Sequence, residues 1–109
     1  MEIRALSERA KKVHAKYATL NTQRYGREWT AGEIAQGFVG DVGDLMKLVM
    51  AKEGIREIED VDRKLEHELS DCLWSILVLA EEYGVDLEKA FLRTMKELEQ
   101  RLFSSVGNS

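Results

Sequence analysis

Residues 61–83 read VDRKLEHELSDCLWSILVLAEEY, and their patterning decides the fold. The stretch does not alternate apolar and polar residues with the two-residue period of a half-buried strand. It is long enough for six helical turns. From Cys72 to Ala80 the sequence CLWSILVLA is almost wholly apolar, so a helix there is apolar on nearly every side. Such a helix has to be covered from several directions. The run is also far too short to span a bilayer. Asp60 or Glu59 is placed to open this helix, and Gly84 follows Tyr83 as its stop.

Three more helices surround it in the chain. Ile3, Leu6, Ala10, Val13, Tyr17 and Leu20 recur at spacings of three and four, one apolar stripe on a helix over residues 3–24 that ends at Gly26. Thr30, with Glu33 three residues later, is a capping-box start for the next helix, which runs to Glu53 before Gly54. Asp86 caps the last, whose stripe is Leu87, Phe91, Met95, Leu98 and Leu102. The closing SSVGNS is read as a frayed tail, with a single domain over residues 1–105 and the tail proper at 106–109. The expected fold class is therefore all-α, a four-helix bundle. Four helices from one short chain do not supply enough cover for the third, so homodimerisation, or a dimer of dimers, is expected to complete the bundle.

Composition narrows the function. Among 109 residues, 44% hydrophobic and 33% charged is a globular balance. The single cysteine, Cys72, excludes an intramolecular disulfide and fits a reducing cytoplasm. No signal-peptide pattern precedes the first amphipathic segment. The net charge of −4 is unevenly spread: residues 1–28 hold seven Lys/Arg against three Glu, and residues 29–109 hold nine against seventeen acids. The acidic balance argues against nucleic acid as a partner, and the basic first segment reads as a solvated helix face.

The acids of the second and third helices fall on the wrong face for ordinary surface charge. The second helix contains GFVGDVGDLMKL at residues 37–48. At 100° per residue, Asp41 lies within about 20° of Ile34 and Leu48, with Asp44 about 60° further round. On the third helix Glu68 lies within about 20° of Val61 and Leu79, and Asp71 at the edge of that arc. DxxD on one helix and ExxD on the next thus both face where a core belongs. Carboxylates so placed are costly unless paired or bound to a cation. Lys64 is the one nearby basic residue, and it cannot neutralise four acids. A hard divalent cation on oxygen ligands, Mg²⁺ or Mn²⁺, can. The residues three before His14 and His67 are Lys11 and Lys64, so the Glu-x-x-His pairs of di-iron bundles are absent. No zinc spacing, phosphate loop or nucleophile elbow occurs either.

GDVGDLMKL, followed after a short connection by KLEHELSDCLWSILVLAEEYGVDLEKA, resembles the MazG-like all-α nucleoside triphosphate pyrophosphohydrolases over roughly residues 30–102. The resemblance implies hydrolysis of (d)NTP to (d)NMP and pyrophosphate, by attack of a metal-activated water at the α-phosphorus. It also implies that Asp41, Asp44, Glu68 and Asp71 hold Mg²⁺ and form the catalytic set. Phosphoryl chemistry of this kind asks for charge neutralisation and positioning more than for a nucleophile. The chain departs from the family's ExxE by having two aspartates, has Gly40 before the first acid, and has Thr94 and Leu98 where many members carry Lys and Asn. Lys64, Arg93 and Lys96 are candidates for the missing triphosphate contacts. Trp29 and Trp74 can each stack on a base or fill the core; Trp74 is assigned to the core, and Trp29 is open to either fate. The shorter aspartates reach about 1.3 Å less than glutamates, which suggests that Gly37, Gly40 and Gly43 bring the helix backbone closer to its neighbour. The alternative to an enzyme is a catalytically silent helical dimer that serves as an interaction module.

Overall fold

The structure, a computed structural model, describes residues 2–107. Four helices follow one another: α1 (Ile3–Tyr25), α2 (Ala31–Lys52), α3 (Val61–Glu82) and α4 (Leu87–Gly107). No strand occurs among the described residues. No described helix is long and apolar enough to cross a membrane. Helix α4 continues to Gly107, so most of the stretch read from sequence as a frayed tail is helical; Asn108 and Ser109 lie outside the described residues.

The helix ends follow local chemistry. Gly26, Gly54 and Gly84 adopt positive φ of 78°, 81° and 63° and release the chain after α1, α2 and α3. Asp86 Oδ1 accepts from the Lys89 amide at 3.1 Å to start α4. At the start of α2 the Glu33 amide donates to Thr30 Oγ1 and the Thr30 amide donates to Glu33 Oε1, both at 3.1 Å. Arg27 adds a 2.6 Å ion pair to the same carboxylate. The Arg27 hydrogen bond, then the Thr30 amide, hold the Glu33 carboxyl down to about 2. Thr30→Ala is expected to cost about 1 kcal/mol, read as a melting temperature lower by several degrees. Because the folded pKa of Glu33 is depressed, its contribution is present above the ordinary carboxylate range and is lost as pH falls towards 2. A melting series over pH 2–6 on the wild type and Glu33→Gln checks this.

Helices α2 and α3 form the most extensive pair, and their antiparallel course is tied at one end by Lys52 to Asp62 at 2.6 Å. Helix α1 lies along α3 in the opposite sense, with Lys11 near Glu81 (3.4 Å) and Tyr17 beside Trp74 (5.9 Å between rings). Ala10, Ile34, Leu77 and Val78 form the core where these three meet, with Ile3, Leu6, Trp74, Leu79 and Leu87 around it. Helix α4 touches α1 only slightly, near its own start. Beyond that, Phe91, Leu92, Leu102 and Phe103 are exposed.

The expected close approach at the glycines of α2 does not occur within the chain. A methyl added at Gly37, Gly40 or Gly43 meets nothing within 4 Å outside its own helix backbone. The neighbouring helix lies across the arc of Asp41, Ile34 and Leu48, and the glycines flank that contact. Among the described residues, no atom outside the helix requires their small size.

Candidate metal and nucleotide site

Helix α2 buries Ile34 and Leu48, 4% and 5% exposed, and that phase places Asp41 between them, half-buried against α3. Helix α3 buries Cys72, Ser75, Leu77 and Val78 and carries half-buried Glu68 on the side that meets α2. One carboxylate oxygen each from Asp41, Asp44 and Glu68 lie within 4.8 Å of one another. Asp71 is outside this trio. Its Oδ2 lies 3.1 Å from His67 Nε2, four residues earlier on the same helix.

The electrostatics of Asp41 and Glu68 are those of acids lacking a sufficient counter-charge. Burial, then the charges of Asp71 and Asp44, push the Asp41 carboxyl above its ordinary value. Glu68 is raised by burial and then by Asp41, Asp71 and Asp44. His67 opposes both shifts without cancelling them. Glu68 Oε2 is buried with no hydrogen-bond partner. An orphaned, desolvated carboxylate oxygen facing two further carboxylates matches the donor set of a hard divalent cation, so these residues fit Mg²⁺ or Mn²⁺. The Cys72 thiol is pushed up by burial and then by Asp41, Glu68 and Asp71, which leaves it protonated and inert.

Two clefts open on either side of the acids. One, of about 510 Å³, is walled by Trp29, Trp74, Ile34 and Gly37, with Gln36 and Asp41 at its rim. Trp29 stacks on Tyr17 with ring centroids 5.8 Å apart, and Tyr17 and His14 meet Trp74 edge-on. Trp74 therefore both packs against the core and lines this cleft; its buried Nε1 has no hydrogen-bond partner. The other cleft, of about 440 Å³, is lined by Asp44 and Glu68 together with Lys47, Arg63, Lys64 and His67. Arg93 and Lys96 lie exposed on α4 and line neither cleft in this chain. Sequence reasoning singled out Lys64 but missed Lys47 and Arg63. Lys47 sits three residues after Asp44, the one available signal; Arg63, five before Glu68, falls on a different arc of its helix.

Residues 42–103 match the family model of the MazG nucleotide pyrophosphohydrolase domain, more than half of the chain. The chain belongs to that family. The matched MazG region contains Asp44, Glu68 and Asp71 and begins one residue after Asp41. No curated protein and no solved structure shows a significant match. The MazG assignment carries nucleotide pyrophosphohydrolase chemistry at the level of the family, and the all-helical architecture agrees with it.

Proposed function

We propose that this MazG protein is a Mg²⁺-dependent pyrophosphohydrolase that converts (d)NTP to (d)NMP and pyrophosphate, as a homodimer in the reducing cytoplasm. The observation that carries the reading is the carboxylate trio of Asp41, Asp44 and Glu68, gathered within 4.8 Å from two helices, with a buried Glu68 oxygen lacking any partner. Those three residues would hold the cation; Asp71, fixed by His67, adds negative charge beside them. A hard divalent cation supplies charge neutralisation at the reacting phosphoryl group and Lewis-acid activation of water. The reaction adds water at the α-phosphorus and breaks the bridging α–β P–O bond, so the leaving group is pyrophosphate. The aromatic cleft next to Asp41 takes the base: Trp29 offers a π-face, and Trp74 walls the same cleft.

The dimer is supported by what one chain leaves uncovered. The Cα radius of gyration is 17.7 Å, against about 13 Å for a compact domain of this length. Val39, Val42, Met46 and Val49 on α2, and Leu69, Leu73 and Ile76 on α3, form exposed apolar stripes at helical spacing. Exposed apolar faces of this extent mark association surfaces.

Release of pyrophosphate from a panel of canonical and modified (d)NTPs, with Mg²⁺, with Mn²⁺ and with chelator, tests the reaction. The expected result is equimolar monophosphate and pyrophosphate in the metal arms and none with chelator. A folded protein that releases no pyrophosphate across the panel overturns the enzyme and leaves the silent helical dimer.

A further inference from the structure

The groove between α2 and α3 is chemically polarised. Its aromatic end draws on Gly37 of α2 and Trp74 of α3; its other end draws on Lys47 of α2 and Arg63 and Lys64 of α3. Asp41 belongs to the first cleft and Asp44 and Glu68 to the second, so the acid trio sits between the two. At 1.5 Å per helical residue, Gly37 and Lys47 are about 15 Å apart along α2. The cationic end is not explained by pairing within the protein. Lys47 reaches Asp44 only at 4.0 Å. Among the described residues, neither Arg63 nor Lys64 has a carboxylate within ion-pairing distance.

We propose that Lys47, Arg63 and Lys64 form the subsite for the β- and γ-phosphates, and hence for the departing pyrophosphate, in this chain. The inference rests on the nucleotide reading above. It goes further in fixing which way the substrate lies: base towards Trp29, α-phosphorus at the acids, terminal phosphates towards the first turn of α3. With the acids in the middle of the groove, the bond that can be cut is the one between nucleoside monophosphate and pyrophosphate. Acids beyond the cationic end would instead address the terminal phosphate. Arg63 offers a planar pair of donors to a phosphate, and the two lysines supply point charges. Asp44, Asp60 and Glu68 share the cleft. Without a divalent ion they offset its three cations, so polyphosphate binding has to be metal-dependent.

Titration of inorganic pyrophosphate into the full-length protein by calorimetry, with Mg²⁺ and with chelator, tests the subsite without turnover. The double variant Arg63→Ala/Lys64→Ala should lose at least about tenfold in pyrophosphate affinity in the Mg²⁺ arm, the scale expected for removing charge-assisted hydrogen bonds. Lys89→Ala, which removes a positive charge on α4 outside the cleft, should bind as wild type, and helicity by circular dichroism should match in all three proteins. In turnover assays the double variant should raise KM for triphosphates by a similar factor and keep its ranking of bases. Pyrophosphate affinity unchanged in the folded double variant, with turnover intact, overturns the subsite and leaves the enzyme. Pyrophosphate binding that depends on Arg63 and Lys64, in a protein that hydrolyses no nucleotide, supports the cleft and sinks the reaction instead.

Discussion

Glu68→Gln is expected to cut turnover by on the order of 10²-fold or more while raising the melting temperature of the metal-free protein. The two effects share a cause. Glu68 is desolvated, faces Asp41, Asp71 and Asp44, and leaves one oxygen buried without a partner. Without a cation its ionised form destabilises the fold, so a neutral amide of the same shape relieves repulsion and can donate to its acidic neighbours. With a cation the charge becomes an asset, and losing it removes a group that stabilises charge in the transition state, an effect on the order of 10²-fold or more in kcat. Thermal unfolding in chelator and in saturating Mg²⁺ should therefore rank the two proteins in opposite orders. The pH dependence has a definite sign. A carboxyl whose folded pKa is raised takes up its proton more readily in the native state. In chelator, wild-type stability should fall as pH rises from the ordinary carboxylate range through the raised value. Glu68→Gln should flatten that limb, and Asp41→Asn should do so in part. The Arg27–Glu33 pair acts in the opposite direction at lower pH, so the two contributions separate on the axis. A variant less stable than wild type in chelator would show that Glu68 is already neutralised within the chain.

Leu73→Glu is expected to break the proposed dimer into monomers. Leu69, Leu73 and Ile76 stand in one exposed stripe on α3, beside the stripe of Val42, Met46 and Val49 on α2. If two copies pair through these faces to make a bundle, a glutamate at residue 73 becomes a buried, unpaired carboxylate costing several kcal/mol. The dimer dissociation constant should then rise by at least about 100-fold. Sedimentation velocity over a concentration series reads this directly, and the wild-type melting temperature should depend on protein concentration where the variant's does not. The glycines of α2 belong to the same question. Among the described residues, a methyl at Gly40 or Gly43 meets nothing within 4 Å outside its own helix backbone, which leaves that face free for the second copy proposed above. A wild-type protein that sediments as a monomer at all concentrations would remove the dimer from the reading and leave those stripes without an occupant.

Features that depend on neighbours along the chain were readable from the residues alone. The capping box at Thr30 and Glu33, the glycines that stop α1, α2 and α3, and the Asp86 cap are local hydrogen-bonding and backbone preferences, legible wherever they occur. The inward phase of Asp41 and Glu68 was legible for the same reason, since 100° per residue is fixed by backbone geometry. The packing of the helices, their offsets and rotations against one another, settled the rest. It gathered Asp41, Asp44 and Glu68 and placed Asp71 against His67, close enough for its charge to act on Asp41 and Glu68. It left the glycine face of α2 open, and it turned Trp74 partly outward to share a cleft with Trp29. It brought Lys47 across from Arg63 and Lys64, which no spacing within one helix reveals, because the offset between antiparallel helices is set by which side chains interdigitate in the core. A helix fixes the angle at which a side chain leaves; the packing fixes what that side chain meets.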